Sequence, residues 1–366
     1  MKISFRTDAS VQIGSGHVMR CLTLAEELRR RGHDCGFICK AHQGHLGDLI
    51  AKKGFKLDLL NETTPEESLA DNDLESTHTG WLGGTWQMDA NQTQMILARE
   101  QPDWLVVDHY ALGAQWERLV ASEVGQIMVI DDLADRDHEC SILLDQNVLD
   151  SSGQHRYQRL VNENCILLLG PRYALLRPEY AELANALPER DGTVVRVLIF
   201  VGGSDPHHLT ERYLEALTAP EFSHLLVDVV VGANHPSPAA VERLVEQRAK
   251  TRLYSQLPSL SALMVRADLM LGAGGATNWE RMCLGLNALV VSVADNQYKI
   301  NEALGNQRTL YFLGKVDCLT ADSIHATLRT VREYPKSVAE QSSRMRALVD
   351  GNGCERVAQL LIEKCI

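Results

Sequence analysis

Residues 196–217 read RVLIFVGGSDPHHLTERYLEAL, and the order of parts in this stretch decides the fold class. A short aliphatic run leads into a Gly202–Gly203–Ser204 loop, and a helical pattern follows. Asp205 is a good N-cap for that helix and Pro206 suits its first position. A strand that passes through a glycine loop into a helix is the opening half of a β–α–β unit.

The same order stands at the N-terminus. Lys2 to Arg6 (KISFR) alternates as a strand does and leads to Gly14–Ser15–Gly16. From Val18 to Arg30, apolar Val18, Cys21, Leu22, Leu24, Ala25 and Leu28 keep helical spacing, and Gly32 stops the helix. CGFIC (35–39), DWLVVDHY (103–110), QIMVIDD (126–132) and ILLLG (166–170) are further strands of the first half. After the restart at 196 come LLVDVVVG (225–232), ADLMLGAGG (267–275) and NALVVSV (287–293), with helical stretches between. Alternating strands and helices imply parallel sheets covered on both faces.

The chain of 366 residues therefore reads as two α/β domains. The boundaries expected are 1–170 for an N-terminal Rossmann-like domain, 171–192 for a proline-containing linker, 193–335 for a C-terminal Rossmann-like domain, and 336–366 for C-terminal helices broken at the 351–353 GNG. Two such domains facing each other make a cleft between the carboxyl ends of two sheets, where folds of this kind bind ligands. Residues 61–95 are polar and poor in strand signal, and are read as an irregular insertion holding a short helix.

Charge and composition narrow the partners. Lys plus Arg number 36 against 48 Asp plus Glu, a formal balance of −12, which argues against nucleic acid or an anionic membrane as the main partner. No signal peptide or membrane span is expected, which points to the cytoplasm. Nine scattered cysteines form no Cys-x-x-Cys pair and read as reduced thiols, not as a disulfide framework or a zinc knuckle.

The glycine loops need a ligand class. A dinucleotide fingerprint requires a sixth-position glycine, where Met19 stands, and an acidic residue after the second strand, where Lys40 stands. No Gly-Lys-Ser/Thr occurs, so a P-loop is also excluded. Three glycine-rich strand ends remain, at 14–16, 202–204 and 272–275. Each is expected to precede a helix N-terminus, whose N–H groups and positive dipole end suit phosphate oxygens. In the third, GAGGATNWERMCLGLNALVVSVADNQ (272–297), Glu280 falls early in a helix, where it can accept both hydroxyls of a ribose or complement the dipole. His42, His45, His207 and His208 read as solvated. Asp131–Asp132 reads as holding loop backbone in preference to a metal.

That third stretch resembles the nucleotide-binding signature of the two-domain GT-B glycosyltransferase architecture. Five other segments resemble something narrower: FRTDASVQIGSGHVMRCLTLAEEL (5–28), DWLVVDHYAL (103–112), VIDDLADRDHECSILLDQN (129–147), LLLGPRYALLRPEY (167–180) and IFVGGSDPHHLT (199–210). Together they are similar to the UDP-sugar hydrolases of pseudaminic acid biosynthesis, whose substrate is UDP-2,4-diacetamido-2,4,6-trideoxy-β-L-altropyranose. The resemblance implies a GT-B fold; no cofactor is expected, and no metal, since no ligand set with metal spacing is visible in the sequence. It implies His17 as catalytic base, with Asp108, Tyr110 and Asn296 completing the catalytic set. Substrate contacts are implied for Arg6, Asp8, Gly14, Gly16, Arg20, His109, Gly203, Ser204, Gly275, Ala276, Thr277, Glu280 and Gln297. Thr7 stands where the family commonly has alanine.

Elementary chemistry agrees with a base at His17. UDP is a good leaving group once N–H donors neutralise it, so one base that activates water suffices for an inverting hydrolysis. A helix N-terminus favours the neutral imidazole, and Gly14 and Gly16 keep the backbone small beside it. Two other readings are kept: a GT-B glycosyltransferase whose base deprotonates an acceptor hydroxyl, and a nucleotide-sugar binding protein without catalysis.

Overall fold

The computed structural model describes residues 1–61, 78–147, 155–232, 234–255 and 257–365. Two compact units emerge, one of residues 1–176 with 352–366, the other of residues 177–351.

In the first unit, the strands are β1 (Lys2–Thr7), β2 (Asp34–Lys40), β3 (Lys56–Leu60), β4 (Trp104–Asp108), β5 (Gln126–Ile130), β6 (Ile142–Asp145) and β7 (Ile166–Leu169). They form one parallel sheet in the order β3-β2-β1-β4-β5-β6-β7. Its helices are α1 (Gly16–Arg30), α2 (Gly47–Lys52), α3 (Trp86–Glu100) and α4 (Ala114–Val120). The apolar stripe expected on α1 is buried at every position, from Val18 to Leu28. One core cluster packs α1 on the sheet around Phe5, Phe37 and Trp104, and another gathers Leu105, Val107 and Trp116.

The second unit holds β8 (Arg196–Phe200), β9 (Leu226–Val231), β10 (Thr251–Ser255), β11 (Leu269–Ala273), β12 (Asn287–Ser292) and β13 (Tyr311–Lys315), parallel in the order β10-β9-β8-β11-β12-β13. Around it lie α5 (Pro178–Ala186), α6 (Leu209–Ala216), α7 (Pro238–Gln247), α8 (Ser261–Arg266), α9 (Thr277–Cys283), α10 (Asp295–Asn306), α11 (Ala321–Glu333) and α12 (Pro335–Leu348). The final helix, α13 (Gly353–Lys364), belongs to the first unit.

Several expectations change. Four strands escaped the sequence pattern. Three of them, β3, β10 and β13, are sheet edges where polar and half-exposed residues dilute the apolar run. The fourth, β6, has only four residues. The segment 171–192 is not one linker: residues to 176 pack with the first unit, and α5 packs with the second. Nor do residues 336–366 act together. Val338 of α12 joins the second unit's core, whereas Cys354, Val357, Ala358 and Leu361 of α13 fill the first unit's core. The chain thus crosses between units twice because each terminal helix buries its own apolar stripe. Within 61–95, residues 62–77 lie outside the described residues. The helix expected there, α3, is 15 residues long, and its Thr85 cap accepts the Met88 N–H at 3.3 Å. Helix α6 begins at Leu209, not at Pro206. Asp205 still caps it, accepting the N–H groups of Leu209 at 2.9 Å and Thr210 at 2.7 Å.

Candidate functional site

Both sheets reverse their strand order between two neighbours, β1 and β4 in the first unit and β8 and β11 in the second. Chain leaving the carboxyl ends of such neighbours diverges to opposite sides and leaves a place for a ligand. The residues expected from sequence converge on these ends.

In the first unit, Thr7 at the end of β1 pairs in register with Asp108 at the end of β4. After β1 the chain runs through Gly14, whose φ of +80° and N–H bond to Ser10 O at 2.9 Å make a turn that L side chains adopt only with strain. Helix α1 then starts at Gly16, so His17 is its second residue. A Cβ on either Gly14 or Gly16 would meet no heavy atom within 4 Å.

His17 Nδ1 lies 2.6 Å from Asp108 Oδ1. Arg20, one helical turn on, donates from Nε to Asp108 Oδ2 and from Nη2 to Asp108 Oδ1, both at 2.6 Å. Burial pushes the Asp108 carboxyl up, but the Arg20 guanidinium and His17 beside it outweigh that and hold it well below the usual carboxylate range. An ionised Asp108 fixes the ring proton on Nδ1 and leaves Nε2 as the lone-pair nitrogen. Among the described residues Nε2 has no hydrogen-bond partner.

Arg20 also reaches Asp132 Oδ2 at 3.4 Å, and Asp132 accepts the Tyr110 hydroxyl at 2.5 Å and the Asn147 amide at 2.9 Å. Burial and the Asp132 carboxylate push the Tyr110 hydroxyl well above its ordinary value, so it stays a donor. The Tyr110 ring meets His17 edge-on at 4.6 Å and stacks on Trp81 at 5.4 Å, with His78 tilted against Tyr110 at 5.2 Å. Trp81 and His78 were missed from sequence, since nothing local marks a Trp in a polar insertion as neighbour to a strand end. Asp132 was read as a backbone partner; that role falls to Asp131, which accepts the Ala134 N–H at 2.9 Å.

Arg6 and Asp8 expose nothing. The Arg6 guanidinium grips Asp8 at 2.7 and 2.9 Å and Asp89 at 2.5 and 3.2 Å, and Asp8 also takes the Lys40 N–H at 2.7 Å. His109 accepts the Ala111 N–H on Nδ1, which turns its Nε2–H toward Asp8 Oδ2 at 3.3 Å. These three residues, expected to contact substrate, are buried at the β1 and β4 ends and pair with one another and with Asp89. No sequence signal marked Asp89, which lies 83 residues from Arg6.

In the second unit, Phe200 of β8 is in register with Gly272 of β11. Gly203 and Ser204 follow β8 and are exposed. Gly274 follows β11, and a Cβ there would lie 2.1 Å from the Asn301 amide, so the close packing of the loop on α10 demands glycine. Gly275 and Ala276 are exposed, Thr277 opens α9, and Glu280 is half-buried in its first turn, its carboxyl pushed up by desolvation. Asn296 is exposed at the start of α10, while Gln297 accepts the Val293 N–H at 3.1 Å.

One group of side chains has the proximity of a metal site. Ligand atoms of Asp205, Glu211 and His235 lie within 4.8 Å of one another. His235 Nδ1, however, accepts the Ser237 N–H at 3.1 Å, so the ring turns an N–H toward the two carboxylates and not a lone pair. His235 Nε2 lies 3.6 Å from Asp205 Oδ2 and 3.5 Å from Glu211 Oε2, beyond a good hydrogen bond, beside the 202–204 loop.

No family model matches the chain. The calicheamicin glycosyltransferase CalG4 superposes on 100% of this chain and 98% of its own, with a TM-score of 0.68 at 15% identity. Together with the two parallel sheets, this makes the protein a two-domain α/β protein of GT-B fold. Among curated proteins, the chain is a relative of the UDP-2,4-diacetamido-2,4,6-trideoxy-β-L-altropyranose hydrolase of Campylobacter jejuni, 25% identical over 81% of this chain and 93% of that one. It is also 25% identical to the spore coat polysaccharide biosynthesis protein SpsG of Bacillus subtilis, over 99% of this chain and 98% of the relative.

Proposed function

We propose that this protein is a UDP-sugar hydrolase of sugar biosynthesis. Its substrate would be UDP-2,4-diacetamido-2,4,6-trideoxy-β-L-altropyranose, its products UDP and the free sugar, and its setting the cytoplasmic synthesis of pseudaminic acid. The observation that carries the reading is the 2.6 Å contact between His17 Nδ1 and Asp108 Oδ1, with Arg20 locking the carboxylate. The relatives' printed activity and pathway support the substrate class.

In this mechanism, His17 Nε2 takes a proton from water as the water oxygen bonds to C1 of the sugar and the C1–O bond to UDP breaks. Asp108 holds the Nδ1 proton, steadies the imidazolium that forms, and does not itself take a proton. Arg20 keeps Asp108 ionised. The imidazolium then returns its proton to solvent. Tyr110, held by Asp132, walls one side of the imidazole. In the second unit, N–H groups at Gly203, Ser204, Gly275 and Ala276 receive the diphosphate, and Thr277 and Glu280 the nucleoside. Asn296 and Gln297 complete the sugar side. Arg6, Asp8 and His109 act from behind.

Turnover in ¹⁸O-water tests the reading. The label is expected on the C1 hydroxyl of the released sugar, with the opposite anomeric configuration, because one base and no nucleophilic carboxylate imply a single displacement. Label on the β-phosphate, initial retention at C1, or transfer to an acceptor in place of water rejects it.

A further inference from the structure

Two of the four buried arginines among the described residues face carboxylates, as does the less buried Arg20. Arg6 holds Asp8 and Asp89, Arg20 holds Asp108 and Asp132, and Arg136 holds Asp131 and Asp135. Arg281 of α9 differs. It is 1% exposed, and its guanidinium donates only to neutral acceptors: Asn278 Oδ1 at 3.1 and 3.2 Å, Thr309 O at 3.2 Å, Leu286 O at 3.4 Å and Met345 Sδ at 3.3 Å. Among the described residues no carboxylate pairs with it, and burial alone pushes its guanidinium down, to about 9. Arg248 also lacks a carboxylate, but it donates to Leu217 O at the C-terminal end of α6, where the helix dipole supplies negative potential.

A buried cation without a counter-charge is costly, so its position needs a reason. Arg281 sits one hydrogen-bond link behind the 272–275 loop. Its partner Asn278 donates its backbone N–H to Gly275 O at 3.0 Å and its amide to Asn301 at 3.0 Å, the residue against which Gly274 packs. A gap with no room for a water molecule, lined by Gly272, Thr277 and Arg281 among others, lies there. From Arg281 to the start of α9 is about 6 Å along the helix axis, and helical side chains tilt back toward the N-terminus.

The geometry points to Arg281 as a positioning residue that supplies the missing charge from within: a fixed positive potential at the 272–275 loop, matched to the diphosphate of a nucleotide ligand. The inference rests on the nucleotide reading of that loop. It explains why the surface of the loop carries glycine and alanine instead of lysine or arginine. The cation works from the dry side, where water and salt screen it little, and it keeps its rotamer whether or not ligand is bound.

The test measures affinities of wild type, Arg281→Gln and Arg281→Lys for UDP, UMP and uridine by calorimetry. A unit charge about 9 Å away through protein changes anion affinity by about tenfold. Arg281→Gln is expected to lose about tenfold for UDP, less for UMP, and nothing for uridine, while Arg281→Lys keeps most of the UDP affinity. A merely structural residue would weaken all three ligands alike. Equal loss for uridine and UDP, or UDP binding by Arg281→Gln equal to wild type, overturns the inference. If Arg281→Gln does not fold, inorganic pyrophosphate added to wild type decides: a raised thermal midpoint is expected, and no rise overturns it. A wild type that binds neither UDP nor UMP rejects the nucleotide reading itself; wild-type binding with an indifferent Arg281→Gln rejects only the charge.

Discussion

The first unit's β1–β4 ends and the second unit's β8–β11 ends occupy the same place in two sheets of similar winding, yet they are built from opposite materials. At the first, His17, Arg20, Asp108 and Asp132 lie in one chain of contacts no longer than 3.4 Å, with Tyr110 attached. At the second, the strand ends carry Gly203, Ser204, Gly275 and Ala276, and the Arg281 cation behind the 272–275 loop is buried. The winding brings strand ends and helix starts together at both. Under the proposed function, the side chains decide which end does chemistry and which one grips. Proton transfer needs titratable groups held in one tautomer, whereas a diphosphate is held by donors that ask nothing of side chains.

The contrast can be broken most forcefully at His17. His17→Ala is expected to cut turnover by about a hundredfold or more, the scale of a lost general base, while UDP affinity by calorimetry stays at the wild-type value. Near-normal turnover would move the chemistry elsewhere, and weakened UDP binding would erase the division of labour. The converse variant, Glu280→Ala, is expected to weaken UDP binding by about 1.5–3 kcal/mol, as for a hydrogen bond involving a charged group; an unchanged affinity would remove Glu280 from the nucleoside.

A smaller effect probes how densely the first unit is charged. Burial, and then the nearby Asp132 charge, push Asp145 at the end of β6 up to about 7. Its folded form binds a proton more tightly than an unfolded carboxyl titrating near about 4. Stability from this group is therefore present below about pH 4 and is lost as pH rises through about 7. The Tyr157 hydroxyl contacts both Asp131 and Asp145, at 3.0 and 2.9 Å, and has one proton to give, which suits a protonated Asp145. Asp145→Asn should raise Tm at pH 8 by about 2–4 °C and change it little at pH 4. The same gain at both pH values would refute a titrating Asp145. The smallest effect is expected from EDTA: turnover unchanged, because the ring proton of His235 faces the carboxylates of the one three-residue group with metal-like proximity among the described residues. Activity lost to EDTA and restored by a divalent cation would reverse that assignment.

The sequence by itself determined the α/β class, the restart of the pattern at residue 196, the burial stripe of α1 and the loops that end at the two switch points. These are local properties: strand and helix periods, glycine turns and caps are written in consecutive residues. By resemblance it named His17, Asp108, Tyr110 and Asn296 as a catalytic set and Arg20 as a substrate contact; the structure joins His17, Asp108, Arg20 and Tyr110 in one network, while Asn296 belongs to the second unit. What the tertiary structure alone decided is who stands behind whom. Arg6 and Asp8, named from the sequence as substrate contacts, are fully buried and paired with each other. Asp89 and Trp81 gave no local sign and complete the surroundings of the β1 and β4 ends. Nothing in the sequence singled out Arg281, which is a buried cation with no carboxylate partner among the described residues. The terminal helix, continuous with the second unit in sequence, finds its apolar partner in the first. Burial and charge pairing join residues tens to hundreds of positions apart, and no window of consecutive residues records which carboxylate a given arginine meets.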